Sequence, residues 1–268
     1  MKIITISNLK GGVGKTTTCV NLSYALMTEG KRILVVDMDP QSNATPFFVN
    51  GWKNRNIKYV LTDSEHVRRC IYRTRYTAID LIPGSTELEE NDAADRDALK
   101  RALDIVADEY DFCIIDTRPA MENLTVSYIN ASDMILTPVC LDNFCRDNLS
   151  MMEEKLSKMD ATADKTWKVF ATKVNARRRA QREIYVDMVG RHDYPFLNTC
   201  VSSTSVVENA LLLYKPIIKH RIHSVVSRIT ESLQKKSFQK RWEVLTMANF
   251  GEVFKESAVK KVKYSSAK

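Results

Sequence analysis

The chain has 268 residues, 44% hydrophobic and 27% charged, which is enough for one large α/β domain with a substantial core. Its formal charge of +7 is uneven: residues 214–268 hold 13 Lys or Arg against 4 Asp or Glu, while residues 1–213 carry −2, an asymmetry that suggests a polyanionic partner. No segment approaches the ~18 apolar residues of a membrane-spanning helix and no leader pattern is visible, so a cytoplasmic protein is expected.

The first apolar run, residues 3–6, predicts a strand, and it leads into Lys10-Gly11-Gly12-Val13-Gly14-Lys15-Thr16-Thr17. Glycines at these positions let successive backbone N–H groups face one anion, Lys15 adds a point charge for terminal phosphates, and Thr16 offers a hydroxyl to a magnesium ion. A nucleoside triphosphate is the expected ligand. The following helix carries Val20, Leu22, Ala25 and Leu26 on its apolar face and stops at Gly30. An ordinary phosphate-binding loop of this kind has glycine where Leu9 stands, and a second cation, Lys10, lies inside the loop. Folded inward, Lys10 would crowd the loop's own positive groups, so it is expected to reach away toward phosphate on a second subunit; the competing reading is a solvated loop lysine.

A second strand over residues 32–37 ends in Asp37-Met38-Asp39-Pro40-Gln41-Ser42-Asn43, two carboxylates at the edge of an open α/β sheet where ligands bind. Capping of a following helix is the alternative role for such acids. Strands are predicted at 79–83, 112–116, 134–138, 168–173 and 196–201, with helices at about 86–108, 121–131, 143–159, 178–191, 204–213 and 222–242. The strand at 112–116 runs out into Asp116-Thr117-Arg118-Pro119, an acid at the same sheet edge. Alternation of this kind predicts a doubly wound, mostly parallel twisted sheet with helices on both faces. The ATPase domain is expected to span residues 1–245, followed by a basic tail at 246–268. The six cysteines, at 19, 70, 113, 140, 145 and 200, show no CxxC pair, and buried reduced thiols are expected, with neither a zinc site nor a disulfide frame.

These three nucleotide motifs together resemble the ParA/MinD family of ATPases with a deviant Walker A loop, in the short form that has no N-terminal helix-turn-helix. The resemblance implies ATP and Mg²⁺ as cofactors, with Gly11, Gly12, Val13, Gly14, Lys15, Thr16 and Thr17 around the phosphates. It implies a catalytic set of Lys10, Lys15 and Asp39, Lys10 acting across a dimer interface and Asp39 orienting the attacking water. Thr16, Asp37 and Asp116 would hold the metal, and Asn175 would contact adenine, although a turn-forming asparagine is an equal reading of that position. Implied partners are a second copy of the chain in the ATP state, nonspecific double-stranded DNA and a ParB-like centromere-binding protein, giving a nucleoid-associated cytoplasmic protein that segregates or positions a plasmid, chromosome or mobile element.

Two departures stand out. Arg118 replaces the first of two prolines common in relatives, and Ser202, Ser203 and Val206 replace a Pro-Arg pair and a further arginine. DNA contact is then expected from Arg177, Arg178, Arg179, Arg182 and Arg191 together with Arg221, Arg228, Lys235, Lys236, Lys240 and Arg241. A different class, a MinD-like membrane-cycling ATPase, would use Phe250, Val253, Phe254, Val259 and Val262 as an amphipathic face, but Gly251 and the polar end argue against it. A redox protein like the nitrogenase iron protein would need cysteines shared across a dimer, and Cys140 and Cys145 have no evident partner position in the sequence.

Overall fold

Pairing of the apolar runs at the centre of one sheet organises everything else. The computed structural model describes residues 1–120, 123–159, 165–175, 177–192 and 194–217. In it eight strands lie in the order β3-β4-β2-β5-β1-β6-β7-β8. Their ranges are β1 Lys2–Ile6, β2 Ile33–Met38, β3 Tyr72–Arg73, β4 Ile79–Ile82, β5 Phe112–Thr117, β6 Met134–Cys140, β7 Thr166–Val174 and β8 Phe196–Ser202. All neighbours run parallel except β3, which pairs antiparallel with β4 at the edge. The expected doubly wound sheet is therefore observed.

Strand alternation explains why both faces are covered. In β2, Leu34, Val36 and Met38 join one apolar cluster while Ile33 and Val35 join the opposite one, and in β5 Cys113 and Ile115 separate likewise from Phe112 and Ile114. Helix α1 (Lys15–Thr28) covers the second face with Cys19, Val20, Leu22 and Leu26. The first face takes α2 (Ile57–Thr62), α3 (Ala98–Ile105) and α4 (Asn123–Ala131), the last seating Tyr128, which is fully buried. Helices α5 (Asn143–Ser157) and α6 (Arg179–His192) close a third cluster over β6 and β7 through Leu149 and Met188, and α7 (Ser205–Leu212) follows β8.

The long helix expected at 86–108 is broken in the structure. Residues Glu90–Ala93 form one 3₁₀ turn, α3 begins only at Ala98, and Ala107–Glu109 form another 3₁₀ turn. The cause is local polar chemistry: Glu89 and Asp92 form a capping box around the first turn, and Asp95 accepts the Asp97 N–H and pairs with Arg101 instead of propagating a helix. The short α2, the 3₁₀ run Ser64–Cys70 and β3 fall outside the predicted elements. The helix expected at 222–242, its basic residues and the tail at 246–268 lie outside the described residues. Among the described residues no helix is long and apolar enough to cross a membrane.

Ile114, with no exposed surface at the sheet centre, and Val186, 67% exposed on α6, give a direct test of this core. Ile114→Ala is expected to lower unfolding stability by about 2–5 kcal/mol. Val186→Ala should stay within about 0.5 kcal/mol of the parent in the same urea titration. Equal shifts for the two variants would contradict the assignment of the central strands.

Candidate functional site

The loop after β1 is held open by its own backbone and by two neighbouring strands. Gly12 and Gly14 sit at φ +72° and +97°, where a side chain is strained, and Gly14 also occupies the N-cap position of α1 with no side chain of its own to fill the space. The amide of Asn8 donates to the Pro138 carbonyl at 2.7 Å while its oxygen accepts the Lys10 N–H at 2.8 Å, which ties the loop to the end of β6. From β7, the Thr172 hydroxyl donates to the Val13 carbonyl at 2.8 Å. Nothing stands within 4 Å of where a Cβ would lie at Gly11, Gly12 or Gly14, so the cradle is open on its inner side.

Lys15, only 7% exposed, points into this cradle with its ammonium donating to the Lys10 carbonyl at 3.0 Å. Burial lowers its pKa, against the opposing charges of Asp116 and Asp39. Lys10 behaves oppositely. Its side chain leaves the loop, donates to both oxygens of Asp142 at 3.0 and 2.9 Å, and lies 5.5 Å from the centre of the Phe144 ring. One lysine faces the anion site and the other faces away from it.

Parallel register sets Asp37 of β2 opposite Asp116 of β5, both without exposed surface. Asp37 is held by donors on both oxygens: Thr45 gives its N–H at 2.9 Å and its hydroxyl at 2.7 Å to Oδ2, and the Asp39 N–H reaches Oδ1 at 3.2 Å. The Gly84 N–H in turn donates to the Thr45 hydroxyl at 3.0 Å, so the end of β4 supports the same network. A Cβ on Gly84 would come within 2.5 Å of Ser42 Oγ and 3.1 Å of Asp37 Cγ, which explains glycine there. On Asp116, Oδ2 accepts the Thr16 hydroxyl at 2.6 Å, and Oδ1 is buried with no hydrogen-bond partner. Burial pushes the Asp37 pKa up to about 6, and burial together with the charge of Asp37 raises that of Asp116 well above the ordinary carboxylate range. A buried carboxyl group with an orphaned oxygen beside the Thr16 hydroxyl fits a divalent cation, whose charge would favour the ionised form. Asp39, 7% exposed, takes the Gln41 N–H on Oδ1 at 2.9 Å and lines the phosphate side of the cavity.

That cavity holds about 620 Å³ and runs from Gly11–Thr18 past Asp39 to a wall made by Phe47, Val207, Leu211, Tyr214 and Ile217. The structure thus brings Gly11, Gly12, Val13, Gly14, Lys15, Thr16, Thr17 and Asp39 together along one cavity, with Asp37 and Asp116 buried beneath it. Asn175 stands apart. It is exposed, accepts the Arg177 N–H at 3.1 Å and takes the Gln181 side-chain oxygen on its own N–H at 2.7 Å, the pattern of a turn former, and it is not among the cavity-lining residues.

Several residues of the site carry no motif of their own. Thr45, Gly84, Asn8, Asp142 and Thr172 act by supporting groups that the motifs do name. The wall opposite the glycine loop comes from β8, α7 and Ile217, whose N–H donates to Asn21 of α1 at 2.6 Å. Arg118 meets Glu90 at 3.1 Å, which places it on the 3₁₀ turn beside α4.

A family described as "AAA domain" matches residues 1–169. The sporulation initiation inhibitor protein Soj of Bacillus subtilis is 39% identical over 161 residues, covering 56% of this chain and 63% of Soj, just under two thirds of that relative's length. The virulence plasmid ParA family protein pGP5-D of Chlamydia psittaci is 28% identical over 251 residues, covering 89% of this chain and 96% of that protein. Among solved structures, apo McdA from Cyanothece superposes with a TM-score of 0.79 at 22% identity over 87% of this chain and 99% of its own, a likeness of fold.

Thr45 gives a pH-resolved test of the buried acids. Because the folded pKa of Asp37, about 6, lies above the ordinary 3.8, ionising it costs stability as pH rises through that interval, and the Thr45 donors offset part of the cost above it. Thr45→Val is therefore expected to destabilise the nucleotide-free protein by about 1–3 kcal/mol at about pH 8 and by clearly less at about pH 5, read from urea titrations. A pH-independent loss would mean that the hydroxyl does not serve the ionised carboxylate.

Proposed function

This chain belongs to the AAA-domain family, and we propose that it is a ParA-type P-loop ATPase of the positioning and segregation class, with ATP and magnesium as cofactors, that works as a two-subunit switch. In this reading ATP closes two copies face to face, Lys10 of each reaching the phosphates held by the other. The observation that carries it is the division of labour between the two lysines: Lys15 lines the cavity, whereas Lys10 leaves it and is held at the rim by Asp142 and Phe144. A lysine built into the loop but turned away from it supports a role on another molecule's anion.

Within one site, the N–H groups of Gly11 to Thr17 and the Lys15 ammonium bind and orient the phosphates. Thr16, Asp116 and, through its hydrogen-bonded shell, Asp37 would hold magnesium, which supplies neutralisation of the charge on the terminal phosphates. Asp39 orients a water in line with the terminal phosphorus. Attack forms the new P–O bond while the bond to the bridging oxygen breaks, leaving ADP and phosphate, and the dimer then parts. Adenine is proposed to lie against the wall of Phe47, Leu211 and Tyr214, of which Asn175 is not a part.

The closed dimer is proposed to hold DNA without reading sequence, released on hydrolysis under stimulation by a ParB-like partner. Exposed Arg177 and Arg178 beyond β7 support a phosphate-facing surface, while Arg179 is taken up by Glu183 at 2.7 Å. Pairing two such surfaces doubles the number of phosphates met and steepens the salt dependence.

Three variants separate the steps. Lys15→Ala is expected to weaken ATP binding by about 10- to 100-fold. Lys10→Ala should bind ATP within a few-fold of the parent yet fail to dimerise or turn over, and wild-type turnover from it would remove the cross-subunit role. Asp39→Ala should give twice the monomer mass with ATP in light scattering and stay on DNA in cosedimentation; a monomer under saturating ATP would overturn the switch. DNA retention by that variant should fall steeply with added salt, and retention on phospholipid vesicles in its place would favour the membrane-cycling class.

A further inference from the structure

Beside Lys10 the end of β6 and the first turn of α5 bring together three groups that the nucleotide chemistry does not use. The sulfurs of Cys140 and Cys145 and a carboxylate oxygen of Asp142 all lie within 4.8 Å of one another. Cys140 and Asp142 are half-buried and Cys145 is buried. The cause is local: Asp142 caps α5 by accepting the Cys145 N–H at 2.8 Å, and that cap curls the chain back so that both sulfurs face the same carboxylate.

We propose that Cys140, Asp142 and Cys145 form a binding site for a thiophilic divalent cation of the Zn²⁺ type, in which the cation and the Lys10 ammonium compete for Asp142. Two thiolates at about 2.3 Å from a tetrahedral zinc stand roughly 3.8 Å apart, so the cluster needs little movement to close on one ion. The donor set of two sulfurs and one carboxylate suits zinc and excludes magnesium, which prefers oxygen alone. The Cys140 sulfur also lies 3.8 Å from the Thr172 hydroxyl oxygen, which seats it against β7. Two thiolates, a carboxylate and a dication leave one negative charge, and the charge of Lys173 lies near it.

The competition follows from the oxygens. Oδ1 of Asp142 carries the cap bond to Cys145 and one bond from Lys10, while Oδ2 takes Lys10 at 2.9 Å. A cation on Oδ2 keeps the cap and displaces the ammonium. Metal occupancy would then set whether Lys10 is held by its own chain or free to turn outward. The site itself goes beyond the dimer reading and does not depend on it.

The test uses the full chain, reduced with a phosphine and stripped of metal. Titration with Co²⁺ is expected to give thiolate-to-cobalt charge-transfer absorption saturating at one equivalent, and Zn²⁺ should displace it. Cys140→Ser and Cys145→Ser should each abolish that band and weaken Zn²⁺ at least tenfold in competition with a chromophoric chelator. Asp142→Asn, which preserves a capping side chain, should weaken Zn²⁺ several-fold, and Lys10→Ala should tighten it several-fold by removing the competitor. Absence of the charge-transfer band in the wild-type chain, wild-type Zn²⁺ affinity in the double cysteine variant, or a Lys10→Ala affinity no tighter than the parent's would overturn the proposal. The wild-type cobalt spectrum decides the first point even if a cysteine variant fails to fold.

Discussion

Two carboxylates forced side by side in the dry centre of the sheet are the constraint on which the rest of this molecule depends. Asp37 and Asp116 are register partners on adjacent parallel strands and neither reaches solvent. Burial alone would exclude the charged pair. The fold answers with donors on every side where it can supply them, from Thr45, the Asp39 N–H and Thr16, and leaves one Asp116 oxygen without a protein partner. That oxygen, beside the Thr16 hydroxyl, is where a divalent cation would be held and would favour the ionised carboxylates. Lys15 beside it, its ammonium desolvated, is the complementary half of the same imbalance.

Around this centre the loops divide by what they touch. The β1 loop is tied to its neighbours β6 and β7 through Asn8 and Thr172, which set the position of the anion cradle. Lys10 belongs to a different neighbourhood. Its carboxylate partner caps α5, its aromatic neighbour Phe144 is 75% exposed, and two cysteine sulfurs stand next to that carboxylate. One residue, Asp142, thus joins the cap of a helix, the loop's outward lysine and a candidate soft-metal ligand set. A change at any one of the three is felt by the others, because all draw on the same two oxygens.

Much of this was legible residue by residue. Apolar runs of period two with helical stretches between them foretell a parallel sheet, and Ile33 to Met38 splitting between two clusters is that pattern realised. The glycine loop and the acids after β2 and β5 declare themselves because phosphate and cation chemistry demand particular residue types at short spacing. The break in the stretch from 86 to 108 was not legible from apolar periodicity, since Glu89, Asp92 and Asp95 compete for backbone N–H groups that a helix would use. Asn175 illustrates the same limit at a site: a side chain with donor and acceptor suits adenine in principle, but here its oxygen and its N–H serve the turn around it.

Local order in the sequence determined the strand and helix alternation, the cradle, its lysine and the three acids, because each rests on contacts within a few residues or on a residue type that chemistry cannot replace. Only the tertiary structure decided which groups complete them. Lys10 meets Asp142 across 132 positions, Thr172 meets Val13 across 159, and Ile217 meets Asn21 across 196. Such partners are chosen by strand order and by the packing of helices on a twisted sheet, which no short window of sequence contains. Cys140 and Cys145 are close in the chain, yet their sulfurs converge only because Asp142 caps α5 at the edge of β6, a geometry that spacing without the fold leaves open.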